Sequence, residues 1–199
     1  MNRVILSAST DETILAVTRQ HKLVDLEIEQ QINTEIVGCI YKGIVKNIVP
    51  AVDGIFVDIG IGKNAFLRRK DLLNEKRFPT EGSPILAQVT KSDTDMKGAL
   101  ITEKISMFGK YAVTLSGTGY IGVSKKIRSE SVRERLKETG KEICAEHMGL
   151  IIRTAAENAD MDEFRKDIIR LKENWDIIQK RFRMEKSPTL LYRESDIIV

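Results

Sequence analysis

Two phenylalanines and a cluster of cations are the first residues in this sequence whose types and spacing could do chemistry. Phe56 and Phe66 lie on either side of a glycine-rich turn in YKGIVKNIVPAVDGIFVDIGIGKNAFLRRKDL (41–72), surrounded by Lys42, Lys46, Lys63, Arg68 and Arg69. Aromatic rings flanked by cations suit single-stranded nucleic acid: bases stack on the rings, at ~1–3 kcal/mol each, and the cations hold the backbone. Taken singly, either phenylalanine is more often core than platform; the spacing of the whole segment shifts that balance. A second stretch, GLIIRTAAENAD (149–160), raises a different question. Its apolar run Leu150-Ile151-Ile152 reads as a buried strand that ends in Arg153-Thr154. A guanidinium and a hydroxyl at the mouth of such a strand either serve internally, Arg153 pairing with Glu157 or Asp160 and Thr154 capping the loop, or meet a ligand.

Other chemistries lack their residues. There is no phosphate-binding G-x-x-x-x-G-K-[ST] loop, no H-E-x-x-H and no G-x-S-x-G elbow. Asp93 and Asp95 form a D-x-D in a polar, glycine-ended stretch that reads as a solvated turn. Cys39 and Cys144 stand far apart with only His21 and His147 as imidazoles, so no zinc site is expected, and reduced thiols in a cytoplasmic protein are. With a net charge of only +3, any nucleic-acid contact must come from local clustering of Lys and Arg. No apolar run is long enough to span a bilayer, and the first residues do not resemble a signal peptide.

The elements that must position these residues follow from periodicity. RVILSAS, ETILAVTR and KLVDLEIEQ read as successive antiparallel strands. VGCIYKGIVKNIVP, GIFVDIG, NAFL, ILAQVTKS and GALITEKI, punctuated by Gly43, Gly54, Gly60, Gly62 and Gly98, suggest a small closed barrel, with one helical turn at RKDLL. SMFGKYAVTLSGTGYIGVSKKI reads as two strands around a glycine-rich turn. A helix follows, capped by Ser129 or Ser131 and ended by Gly140. Asp160 and Glu163 then open a capping-box-like start to a long amphipathic helix, whose apolar face is Met161, Phe164, Ile168, Leu171, Trp175, Ile178 and Phe182. Beyond Pro188, TLLYRESDIIV is a strand-like segment that needs neighbours to pair with.

GIVKNIVPAVDGIFVDIGIGKNAFLRRKDL resembles the OB-fold RNA-binding domain named after the largest protein of the small ribosomal subunit. It departs from that pattern in Ala65, where glycine is frequent, and in Arg68, where histidine is customary. The resemblance extends further: IYKGIVKNIVPAVDGIFVDIG, MKGALITEKISMFGKYAV, GVSKKI, MGLIIRTA and LYRESDIIV occur in the order seen at the start of the ribonuclease E/G family. That resemblance implies an α+β fold: an OB-fold barrel inserted between strands of an incomplete ribonuclease-H-like subdomain, followed by a small α/β subdomain that senses the RNA 5′ end. The implied divisions are 1–35 for the first strands, 36–104 for the barrel, 105–187 for the sensor with its long helix and 188–199 for a returning strand.

The family cuts single-stranded RNA with the help of a metal, magnesium in the parent enzyme, and prefers a 5′-monophosphate. By resemblance Phe56, Phe66 and Lys97 hold RNA on the barrel, with Lys42 and Lys63 as further cations. Gly109 and Val113 line the 5′-sensing pocket, and Arg153 and Thr154 grip the phosphate. The family's metal-holding aspartates, its zinc-binding cysteine pair and an arginine that completes the pocket have no counterpart before Val199. The expectation is therefore RNA binding without cleavage, no catalytic or metal-binding residue and no cofactor in these residues, and self-association through unpaired strands. The competing reading is a stand-alone RNA-binding module in translation or RNA chaperoning.

Overall fold

The computed structural model describes residues 2–8, 12–20, 22–30, 36–94, 96–144 and 148–193. They fall into two units, the first within residues 1–36 and the second spanning residues 37–193. In the first, β1 (Asn2–Ala8), β2 (Glu12–Arg19) and β3 (Lys22–Gln30) form an antiparallel meander in that order, as the alternating runs lead one to expect. The central strand keeps Ile14–Thr18 half-buried, whereas Val4, Ile5 and Leu6 of β1 and Leu23, Val24 and Leu26 of β3 are exposed.

The second unit begins with the barrel. β4 (Ile40–Val49), β5 (Gly54–Asp58), β6 (Ala65–Arg68), β7 (Pro84–Lys91) and β8 (Leu100–Thr102) pair in the order β4-β5-β6-β8-β7, and a β4–β7 ladder closes the ring. This is the OB-type barrel of the sequence reading. Alternation sorts its side chains: Ile55, Val57, Ala65, Leu67, Val89 and Ile101 are buried, while Phe56, Phe66 and Arg68 alternate with buried neighbours and are only half-buried. Two glycines are dictated by close approach. A Cβ on Gly43 would stand 2.5 Å from Val57 Cγ1, and one on Gly98 would stand 1.9 Å from the Asn64 carbonyl oxygen. RKDLL contributes a single 3-10 turn, Arg69–Asp71.

The rest of the second unit is an α/β layer. β9 (Ala112–Ser116) and β10 (Ile121–Val123) flank the glycine-rich turn but do not pair with each other. β11 (Met148–Ile152) lies between them, parallel to β10 and antiparallel to β9. The cause is the crossover helix α1 (Glu130–Ile143): a parallel pair needs a long connection, and this one delivers the later strand to the middle. Gly140 does not end α1. It is buried within the helix, where a Cβ would meet Ile121 and Leu150 side chains at 3.3 Å, so it lets the helix settle on the strands. Ser129 holds the N-cap position, yet its hydroxyl bonds Ser131 Oγ at 3.1 Å rather than a helix N–H.

Helix α2 (Met161–Met184) starts where expected, with Asp160 Oδ1 accepting from the N–H groups of Asp162 (2.9 Å) and Glu163 (3.2 Å). Glu163 does not complete the capping box; it turns to the Tyr111 hydroxyl, which donates to it at 2.6 Å. Phe164, Ile168, Leu171 and Ile178 are buried with β9–β11, and the same core takes in Ile40 of the barrel. Of the segment 188–199, the described strand β12 (Thr189–Tyr192) pairs with β4 as a sixth strand on the barrel sheet. Arg181 of α2 fixes it there by donating to the carbonyls of Leu190 and Leu191. Residues 194–199 lie outside the described residues, as do His21, Asp95 and His147.

Candidate nucleic-acid interface

Phe56 and Phe66 are register partners across β5 and β6, with ring centroids 5.4 Å apart and planes inclined at 53°. Phe66 lies across Gly54, where a Cβ would stand 2.3 Å from the ring atoms Cε2 and Cζ. Glycine at that position lets the ring lie down on the sheet, leaving an aromatic pair on the barrel's outer side. Lys63 and Lys97 belong to two loops that touch at one rim. The Lys63 ammonium donates to the Thr94 carbonyl at 2.8 Å, Lys97 is exposed in the turn that follows, and Gly98 packs on the Asn64 backbone. Lys46, Arg68 and Arg69 are paired: Lys46 with Asp58 (3.3 Å), Arg68 with Asp71 (2.5 Å), and Arg69 with Asp53 (2.5 Å) while stacked on Phe78.

Lys42 is not brought to this face. Its ammonium donates to the carbonyls of Phe182 (2.6 Å) and Glu185 (2.7 Å) and lies 5.0 Å from the centre of the Phe182 ring. A cation at the last carbonyls of α2 satisfies acceptors that the helix leaves unpaired and complements its dipole. Lys42→Met is therefore expected to lower stability by about 1–2 kcal/mol and to leave RNA affinity unchanged, which denaturation and binding curves on the same preparation would show.

Arg153 and Thr154 leave β11, the middle strand of the small sheet. Ser124 leaves parallel β10 on one side, and the Gly109–Lys110–Tyr111 segment enters β9 on the other. The Arg153 backbone N–H donates to the Tyr111 carbonyl at 2.8 Å, and its Nη1 donates to the Gly109 carbonyl at 2.8 Å. Arg153 is exposed and makes no ion pair among the described residues; Asp160 is committed to capping α2. One N–H of the guanidinium thus aims the group, and its remaining donors make no hydrogen bond among the described residues. Thr154 Oγ1 lies 3.2 Å from Ser124 Oγ, which also takes the Lys126 N–H at 3.3 Å. Either hydroxyl of this pair can donate to the other, and when Ser124 donates, the Thr154 O–H is available to an outside acceptor. Val113 is half-buried in β9 and forms a β-bridge with Phe108, which is 56% exposed.

The support of this pocket comes from α2. The Asp167 carboxylate, its side chain only 6% exposed, accepts from the backbone N–H groups of Lys110 (3.2 Å) and Tyr111 (2.8 Å) and pairs with Arg170 (3.1 Å). A Cβ on Gly109 would come within 2.5 Å of Asp167 Oδ2, so glycine is the residue that lets the loop sit on the carboxylate. Glu163 adds a second tie. The hydrogen bond from the Tyr111 hydroxyl, then the Lys110 ammonium, hold its carboxyl below the ordinary value. A depressed carboxyl contributes stability above its unfolded pKa, about 4.3, and that contribution is lost as pH falls through the folded value. In Tyr111→Phe the Glu163 carboxyl, followed by carbon-13 NMR, is expected to titrate closer to the unfolded value.

Asp167 and Ser124 were not singled out in the sequence. For Asp167 a signal existed: a carboxylate set between Phe164, Ile168 and Leu171 on the apolar face of α2 needs a buried partner. Ser124 has no comparable signal.

Comparisons with known proteins agree with this architecture. The family model described as "Ribonuclease E/G family" matches residues 106–199, and the "S1 RNA binding domain" model matches residues 34–102. The chain is 34% identical to "Ribonuclease G" of Escherichia coli (strain K12) over 208 residues, 96% of this chain and 42% of that protein. It is 32% identical to "Ribonuclease E" of Buchnera aphidicola subsp. Schizaphis graminum, across 100% of this chain and 22% of that protein. For "Ribonuclease E" of Synechocystis sp. the identity is 35% over 172 residues, 81% of this chain and 26% of that protein. The chain thus spans less than half the length of these curated relatives.

Proposed function

This chain belongs to the ribonuclease E/G family, and from that premise we propose that it is the RNA-holding, 5′-monophosphate-sensing part of a metal-dependent endoribonuclease acting in RNA processing and decay. The observation that carries the sensing role is the exposed Arg153 fork, aimed by the Gly109 carbonyl and set beside the Thr154 hydroxyl. A terminal phosphate carries about −1.5 to −2 charges at pH 7 and three oxygens ready to accept, and a 5′-hydroxyl offers neither. Arg153 meets the phosphate with charge-assisted hydrogen bonds and Thr154 adds a short, stiff donor. Both groups stand at the end of a paired strand, so little freedom is lost on binding. Phe56 and Phe66 stack the following bases, with Lys97 and Lys63 at the rim for the backbone.

Cleavage is proposed for the whole enzyme, with magnesium. Among the described residues no group of three or more His, Cys, Asp or Glu gathers as a metal site. No helix among the described residues is long and apolar enough to cross a membrane; the proposed place of action is the cytoplasm, with its RNA.

The test is anisotropy of a 3′-labelled single-stranded RNA at fixed salt, since phosphate contacts weaken as salt rises. The 5′-monophosphorylated strand is expected to bind about tenfold more tightly than its 5′-hydroxyl counterpart; equal affinities would remove the sensing role. We further propose that copies associate through β1 and β3, the edge strands of the first unit, whose exposed apolar side chains include Val4, Ile5, Leu23 and Val24. Light scattering is expected to show mass rising with concentration, and a constant monomer mass contradicts it.

A further inference from the structure

We propose that the cleft between the barrel and the C-terminal half of α2 binds a nucleotide, with its base on Trp175 and its phosphate on Lys180 and Arg183. No residue of the Arg153 pocket lines this cleft, and the proposal stands apart from the 5′-sensing reading.

The cleft has a volume of about 560 Å³, within the range of small-ligand sites. Its barrel wall carries Leu73 and Leu86, and its floor is the Ser116–Gly117 turn. Gly117 has φ of +73°, and a Cβ there would stand 2.6 Å from Leu73 Cδ2. Without that atom Leu73 lies down on the turn and still leaves half its surface open to the cleft side, at 51% exposure. The helix wall sets Trp175, Gln179 and Arg183 in one row at four-residue steps, with Asp176 and Lys180 beside them. At the helical rise, Trp175 and Arg183 are about 12 Å apart along the axis, comparable with the reach of a nucleoside monophosphate from base to phosphate.

The chemistry of the row is graded in the same direction. A half-buried indole, packed on the core and lining the cleft, comes first, then an amide and a carboxylate that match the donors and acceptors of a base edge, then two cations. The side chains of Asp176, Gln179, Lys180 and Arg183 make no hydrogen bond or ion pair among the described residues. On the opposite wall Glu103 is occupied by the Leu73 N–H, which donates to it at 2.9 Å. Burial pushes its carboxyl up from the ordinary value, while the Leu73 N–H draws it back down.

Trp175 is the only tryptophan of the chain, which makes it a native probe. Its fluorescence is to be titrated with adenosine 5′-monophosphate, adenosine and a 5′-hydroxyl single-stranded RNA. Saturable quenching by the monophosphate is expected. Binding should weaken about tenfold or more for adenosine, and equally in the double variant Lys180→Ala/Arg183→Ala. Arg153→Ala is expected to leave the quenching unchanged, so loss of 5′-end preference and loss of this site are read separately. Quenching by the RNA as well assigns the site to a nucleotide within a strand, and quenching by the monophosphate alone assigns it to a free nucleotide. No saturable quenching by either, or quenching indifferent to loss of both cations, overturns the proposal.

Discussion

Asp167→Ala is expected to lower the stability of the protein by about 3 kcal/mol and to abolish its preference for 5′-monophosphorylated RNA. The carboxylate holds two backbone N–H groups, those of Lys110 and Tyr111, in a place where its side chain is 6% exposed. Removing it leaves the buried Tyr111 N–H and the part-buried Lys110 N–H without their acceptor, and losing the buried one exceeds the net worth of the bond itself. It also frees the Gly109 carbonyl from its position and with it the Arg153 fork, whose Nη1 donates there at 2.8 Å. Asp167→Asn keeps one acceptor oxygen for the loop and is expected to fall between the alanine variant and the wild type. The checks are urea denaturation and RNA anisotropy on the same variants. Affinity for 5′-hydroxyl RNA, held by the barrel, should stay at the wild-type level as long as the variant is folded. A stability change under 0.5 kcal/mol would show that the loop does not depend on this carboxylate.

Arg153→Ala is expected to act in the opposite manner, on recognition and not on stability. Arg153 is exposed and its side chain makes one hydrogen bond, to the Gly109 carbonyl, so truncation removes little from the fold. It removes the charged donors proposed for the terminal phosphate, and the roughly tenfold preference for the phosphorylated strand should fall to none. Arg153→Lys is expected to recover part of it, because an ammonium supplies charge without the planar fork. A variant with unchanged preference and reduced stability would make Arg153 a structural residue.

The barrel was legible because its strands obey simple alternation. In GIFVD and AFLR every second residue is a core aliphatic or a small residue, and the glycines fall where backbones or a ring come close. The helix starts were legible in part: Asp160 caps α2 by local chemistry, which a local sequence reveals. What failed depended on partners distant in the chain. Glu163 matches a capping box, yet Tyr111, brought near by the sheet, takes it. Gly140 looks like a stop signal, but it lies inside the last turn of α1, where β10 and β11 need its small size. Nothing in TLLY says which sheet it joins, and nothing near Lys42 says that a helix end some 140 positions later will claim its ammonium. At the pocket, the strand and its terminal Arg153-Thr154 were visible, whereas the placement of the Gly109 loop by Asp167 arises only on folding.

The central claim is that the Arg153 guanidinium itself meets the 5′ phosphate. The most direct measurement is the nitrogen-15 side-chain resonance of Arg153, assigned as the signal absent from Arg153→Lys, during titration with the two RNAs that differ only at the 5′ end. This resonance is expected to shift with the 5′-monophosphorylated strand and to stay in place with the 5′-hydroxyl strand at equal occupancy. The same shift with both strands, or none with either while RNA is bound, would contradict it.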